Sequence, residues 1–330
     1  MAARTWVRCG GAALLFAGAV FVLGPLACSS KSEGEVSGFD SGTGTGTSGG
    51  GDAGKGSGAS DSGGGGGIGD GGLMVINGDS GGGSFDGVLT VVIRDFRFYD
   101  AGDHTTDPDF EHTPNIRPDG GALDGYNGDW DDPNIITAQL GADSKPEYAY
   151  TDGGSSYTTH GKAAFDEWYN DTDGGNLHVE VPLMLTVDDA GAYAYDSNVS
   201  GQLYVATDPS QGRGFFPIDD GTAYATAFGN QGKPHNYSFT TELHTSFTYQ
   251  GGEYFSFRGD DDVFVYIAGK NVINLGGIHS PETAMVAVDS LGLTKGETYP
   301  LDFFSAERHV TGSNILFTTT LQLRPVTGIR

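Results

Sequence analysis

From Phe85 onward the chain is written in short runs of β-branched and aromatic residues, broken by Gly, Asp, Asn and Pro. "GVLTVVIRDFRFY", "LHVEVPLMLTV", "HNYSFTTELHTSFTYQ", "EYFSFRG", "DVFVYIAG", "TYPLDFFSAE" and "NILFTTTLQLRP" are the clearest. Many alternate: Phe255 and Phe257 share one face of a strand, Ser256 and Arg258 the other. "IAGKNV" reads as a tight hairpin turn at Gly269. Helical periodicity is weak, and "HGKAAFDEWYND" at 160–171 is the best short helix. Many strands without βαβ alternation predict an all-β chain, an antiparallel β-sandwich or barrel with long loops, in one domain over 85–330.

Upstream the texture differs. Residues 28–84 are rich in Gly, Ser and Asp and hold much of the chain's total of 56 glycines. Such a stretch cannot bury a core and reads as a disordered, solvated tether, about 40 Å in r.m.s. span. Residues 1–27 read as a signal peptide: Arg4 and Arg8, then a Gly/Ala-rich apolar stretch ending in "PLAC". Ala27 before Cys28 suits a bacterial lipoprotein, with Cys28 lipidated, although Pro25 stands where an aliphatic residue is usual. Ser29 favours the outer membrane. The expected location is the cell surface of a Gram-negative bacterium, held to the outer membrane by its lipid. The two cysteines, Cys9 and Cys28, both fall here, so the folded part expects neither disulfide nor thiol chemistry. A formal charge of −26 argues against nucleic acid and permits divalent cations.

The triplet Asp260, Asp261 and Asp262 stands between two apolar runs. Neighbouring side chains of a strand point to opposite faces, so adjacent acids serve one site only where the backbone bends or a peptide is cis. The residues leave three readings: a calcium site, a solvated acidic turn, or a catalytic pair completed by Glu307. Glu307, Arg308 and His309 read as a buried polar network in which the arginine holds the Glu307 carboxyl low. "GDSGG" at 78–82 matches a serine-protease segment, but the first histidine, His104, comes after Ser80. "NDTDGGNLHVE" fails the EF-hand spacing at Asn176 and Pro182 and reads as a turn. The histidines show no metalloenzyme spacing. Trp168 is expected in the core, while Trp130, in "GDWDDPN", is a candidate for stacking on a sugar.

"FRGDDDVFVYIAGKNVINLGGIH", residues 257–279, resembles the "GDDDVWVFINGKLVVDLGGVH"-type segment of fibro-slime domains, relatives of the PA14 domain. "DFEHTPN", "FDEWYND", "FFPIDDG", "GNQGKPHNYSFTTELHTSFTYQGGE" and "LGLTKGETYPLDFFSAERHVTGSN" resemble their counterparts in order, over about residues 88–322. The resemblance implies a PA14-like β-sandwich. It further implies Ca²⁺ held by Asp260 and Asp261, with Asn314 from a later loop, and a coordination sphere completed by sugar hydroxyls. Asp262, His279 and Trp130 are the candidate carbohydrate contacts. The expected function is non-enzymatic: calcium-dependent binding of glycans or extracellular polysaccharide, for adhesion or matrix retention. A glycan-active enzyme or its accessory module is one alternative. A structural slime or matrix protein without ligand is the other.

Overall fold

The computed structural model describes residues 85–111, 130–151, 153–199, 202, 204–208, 212–310 and 312–326. The expected signal peptide, Cys28 and the tether lie outside them. The strands are β1 (Val88–Phe96), β2 (Trp130–Asp131), β3 (Ile136–Leu140), β4 (Pro146–Tyr148), β5 (Asn176–Met184), β6 (Thr186–Val187), β7 (Tyr193–Asp196), β8 (Val205–Asp208) and β9 (Gly212–Phe215). They continue with β10 (Phe239–Thr248), β11 (Tyr254–Gly259), β12 (Asp262–Ile267), β13 (Lys270–Leu275), β14 (Gly277–Ile278), β15 (Glu282–Ala287), β16 (Thr298–Glu307), β17 (Ile315–Thr319) and β18 (Leu323–Pro325). A nine-stranded sheet runs β4–β3–β13–β12–β16–β10–β1–β5, with β18 also on β10. A five-stranded sheet runs β15–β11–β17–β7–β6. The pairings within both are antiparallel, as the alternating runs predict.

The two sheets face each other over one core. Leu89, Val91 and Ile93 of β1, Val263, Val265 and Ile267 of β12, and Leu301 and Phe303 of β16 meet Phe255, Phe257 and Phe317 from the other sheet. Phe255 and Phe257 thus lie on the inner face, where period-two alternation puts them. The β12–β13 turn has positive φ at both central residues, Ala268 (53°) and Gly269 (77°). That is the type I′ geometry, whose twist matches an antiparallel pair.

The large sheet is covered on its other face as well. Phe264 and Tyr266 of β12 and Phe304 and Ala306 of β16 pack with Phe96, Phe110, Ile135, Tyr148, Phe165 and Trp168 into a second core. This explains why every residue of β12 is buried. Its odd positions fill the sandwich, and its even positions fill the layer beneath the long loops. The predicted helix at 160–171 is one turn, α1 (Lys162–Phe165), followed by tight turns rather than more helix. Its aromatic residues are anchors: Phe165, Trp168 and Tyr169 are all buried, and their rings pack on one another. A run of large side chains pointing into one core needs less regular backbone than a long amphipathic helix.

Candidate functional site

The acid triplet marks the place where the chain leaves one sheet and enters the other. Gly259 ends β11 in the five-stranded sheet, and Asp262 begins β12 in the nine-stranded one. A Cβ on Gly259 would collide with the Asn314 carbonyl oxygen and the Phe257 ring, so glycine is required there. Asp261 turns the corner with φ of 47°. This left-handed conformation is one that aspartate tolerates better than most residues. It supplies the bend that lets adjacent carboxylates serve one region.

The three acids have different partners. Asp262 is fully buried; its Oδ2 accepts from Arg308 Nε at 2.6 Å and its Oδ1 from the Gly277 N–H at 2.8 Å. Asp261 Oδ2 accepts from the Arg308 backbone N–H at 3.1 Å. Asp260 accepts two bonds from Asn314, one from its N–H and one from Nδ2, the latter at 2.6 Å. The fold therefore brings Asp260 and Asn314 together across 54 positions of sequence. Asp262, expected to face sugar, is instead enclosed and committed to an ion pair. His279 is nearly buried, with Nδ1 3.0 Å from the Ser280 carbonyl and Nε2 3.1 Å from that of Leu275. Trp130 lies half-buried in the short β2–β14 ribbon, paired with Ile278 beside His279.

Sequence reasoning misplaced the role of Arg308. It does not hold Glu307 low. Successive residues at the end of β16 diverge, so Arg308 turns to Asp262 while Glu307 bonds Ser313. Burial, followed by repulsion from Asp261 and Asp260, pushes the Glu307 carboxyl well above its usual range. Arg308 also bonds the Thr158 carbonyl at 3.0 Å and stacks 4.6 Å over the Trp168 ring. Trp168 in turn donates to Asp109 Oδ2 at 3.1 Å, and Asp109 Oδ1 accepts from the His160 N–H at 2.7 Å. This Arg308–Trp168–Asp109 support went unrecognised as a unit in the sequence. Its parts lie in separate motifs, and no spacing rule joins them.

The electrostatics at the corner are one-sided. Burial raises Asp260 to about 6 and Asp261 to about 7, and Asp262 is also raised by burial, against the pull of Arg308. His279 is raised, with its carbonyl partners and Asp261 and Asp262 overcoming burial. Beyond the Arg308–Asp262 pair, no arginine or lysine side chain makes an ion pair with Asp260, Asp261 or Glu307 among the described residues. In donor type the residues fit a hard cation: two adjacent carboxylates and the Asn314 carboxamide are all oxygen sources. As placed, Asn314 offers Nδ2 to Asp260, and rotation of its amide would present Oδ1 instead. No group of three or more carboxylate, imidazole or thiolate side chains that could hold a metal occurs among the described residues. Six to eight oxygens would therefore require main-chain carbonyls and outside hydroxyls.

The chain is 39% identical over 196 residues to protein psiC of Dictyostelium discoideum, covering 58% of this chain and 36% of psiC. It is 36% identical over 223 residues to psiR of the same organism, covering 65% of this chain and 21% of psiR. It thus spans about a third or less of these relatives. Among solved structures, a PA14 sugar-binding domain from an RTX adhesin aligns at 10% identity and a TM-score of 0.24, covering 71% of this chain and 91% of the domain. The A domain of epithelial adhesin 9 from Candida glabrata, in complex with Galβ1-4GlcNAc, aligns at 12% identity and a TM-score of 0.25, covering 72% and 82%. Both are too distant to bear on the site. The family model for the PA14 domain matches residues 190–329, the interval that holds Asp260, Asp261, Glu307, Arg308 and Asn314. That interval is where the chain is similar to the PA14 domain family.

Proposed function

We propose that this chain is a non-enzymatic carbohydrate-binding module of the adhesin type, that it binds glycan through a calcium ion at Asp260 and Asp261, and that a lipid on Cys28 holds it to the outer membrane. One observation carries the reading. Three acids at the sheet crossing, Asp260, Asp261 and Glu307, lie in or near burial and are all pushed upward in pKa. Carboxylates gathered at such cost are what a divalent cation neutralises. Asp260 and Asp261 are the ligands from the corner, and Asn314 is the ligand from the facing loop. Calcium accepts more oxygens than these residues supply, which leaves positions for vicinal sugar hydroxyls.

The same pattern speaks against glycoside hydrolysis. That chemistry needs one carboxyl group kept protonated and another kept ionised across a cleft. Here the acids shift the same way. A cleft of about 320 Å³ lies elsewhere, lined by Asp143, Lys145, Glu147, Lys162, Asp166 and Asn170, and none of the triplet borders it. A lipid anchor and many displayed copies would let weak single sites act together.

Calorimetric titration of the purified chain with calcium, beside Asp261→Asn, tests the cation. A glycan array read with calcium and with chelator tests the sugar. Saturable heat that the variant lacks, and array signals that vanish in chelator, are the expected results. No heat, with a melting temperature indifferent to chelator, would leave the triplet as a structural corner in a matrix protein.

A further inference from the structure

The acid-rich "DWDDPN" stretch contributes nothing to the coordination described above, yet it holds one buried oxygen without a partner and packs against Asn274, which holds another. Asp132 has no exposed surface. Its Oδ2 accepts from Thr158 Oγ1 at 2.9 Å and from the Thr158 N–H at 3.3 Å. Its Oδ1 is buried and accepts no hydrogen bond. Across from it, Asn274 Nδ2 donates to the Pro133 carbonyl at 2.9 Å. That bond fixes the carboxamide, and Asn274 Oδ1 is likewise buried and unpartnered. Gly276 lies between the two residues. A Cβ built there would stand 2.6 Å from the Asp132 carbonyl oxygen and 3.2 Å from Asn274 Oδ1. The Asp132 N–H donates to the Gly276 carbonyl at 2.5 Å, which holds the two segments together.

All of these orphaned atoms are acceptors. A carboxylate oxygen and a carboxamide oxygen cannot satisfy each other. Only the hydrogens of a water or a cation can serve them. An enclosed carboxylate without a countercharge favours the cation. No lysine, arginine or histidine among the described residues makes an ion pair with Asp132. The nearby Asp262 cannot bridge to the first site, because both its oxygens are taken by Gly277 and Arg308.

We propose a second cation site, between Asp132 and Asn274, that takes Ca²⁺ through Asp132 Oδ1, Asn274 Oδ1 and the Asp132 carbonyl, with water completing the shell. The donors are oxygen only, which suits a hard cation rather than a transition metal. A single carboxylate makes it a weak site, with a Kd of about 10⁻⁴–10⁻³ M. The ion ties the segment after β2 to the end of β13. It thereby fixes the β2–β14 ribbon, which carries Trp130 and leads into His279. The site is independent of the reading that places calcium at Asp260 and Asp261.

Terbium, a luminescent stand-in for calcium, provides the test on the full chain, because the Trp130 indole two positions from Asp132 can sensitise it. Two classes of terbium site, each displaced by calcium, are expected in the wild type. Asp132→Asn should retain only the tighter class. Asn274→Ala, at a half-exposed position, should weaken the second class about tenfold and spare the first. Asp261→Asn should remove the first class and leave the second, so failure of either site is seen separately. Trp130→Phe should dim the second class without releasing the ion. A wild type with no class that Asp132→Asn removes would overturn the proposal and assign the two oxygens to a bridging water; a single class that Asp132→Asn removes and Asp261→Asn spares would support it and overturn the first site instead. A second class untouched by Asn274→Ala would overturn it as well, even where Asp132→Asn fails to fold.

Discussion

The Asp262 carboxylate and the Arg308 guanidinium lie 2.6 Å apart, and neither side chain reaches solvent. Arg308 extends past the pair to the Thr158 carbonyl and the Trp168 ring, so one cation joins β12, the loop before α1 and the second core. Removing one member strands a buried charge. Asp262→Ala and Arg308→Met should each cost about 3–5 kcal/mol, read by chemical denaturation. Arg308→Lys keeps the charge but lacks the planar fork that reaches several partners at once, and should recover only part of the loss.

Asp261→Asn has the opposite character in the absence of calcium. It removes a carboxyl that burial and the adjacent acids already disfavour as an anion. The variant should melt at or above the wild type in chelator. It should fail to gain stability when calcium is added, while the wild type gains as binding to the native state requires. A thermal melt in four conditions reads both effects.

The pH dependence in chelator follows from the direction of the shifts. Asp260 and Asp261 titrate near 6 and 7 in the folded chain, against 3.8 for an ordinary aspartate. Asp95, buried at the end of β1, also rises to about 7. Between about pH 4 and 7 the folded state therefore holds more protons than the unfolded one, and stability falls as pH rises through that window. His244, raised from 6.5 to about 9 by Asp302 and Glu242 against the effect of burial, adds stability that is lost as pH rises from about 6.5 to 9. Melting temperature in chelator should show a first decline from about pH 5 to 7 and a second from about 7 to 9, and level off above 9. Calcium should flatten the first decline, because it replaces the protons at Asp260 and Asp261.

Gly259→Ala tests the corner itself. The added methyl meets the Asn314 carbonyl, a backbone atom that cannot swing aside as a flexible side chain could. A destabilisation of about 1–3 kcal/mol is expected. Because Asn314 is displaced, calcium affinity should fall with it, measured on the fraction that remains folded.

Much of this was legible in the residues. Alternation at Phe255 and Phe257 gave the inner face of β11, and "AG" at 268–269 gave the hairpin, because both rest on local backbone rules. The pairing of Asp260 with Asn314 was reached by resemblance, not by spacing, since nothing local links positions 54 apart. Arg308 was misjudged for the converse reason. Sequence adjacency suggested Glu307 as its partner, whereas strand geometry sends neighbours to opposite sides and delivers Arg308 to Asp262. The second core was not legible either. Phe110, Ile135, Phe165 and Trp168 come from loops whose apolar residues follow no period, and only the tertiary fold makes them one layer.

β10 lies inside the interval that matches the PA14 domain, and β1, its antiparallel neighbour, lies outside it. A fragment begun at residue 190 would lose β1, β5 and most of the second core. It would leave the Phe239–Glu242 half of β10 with bare amide and carbonyl groups along one side, while β18 still covers Thr245–Phe247. Such an edge templates strand addition between molecules, so the fragment would be prone to aggregate. The boundary drawn by likeness and the smallest piece that can be handled as a monomer are different for this protein.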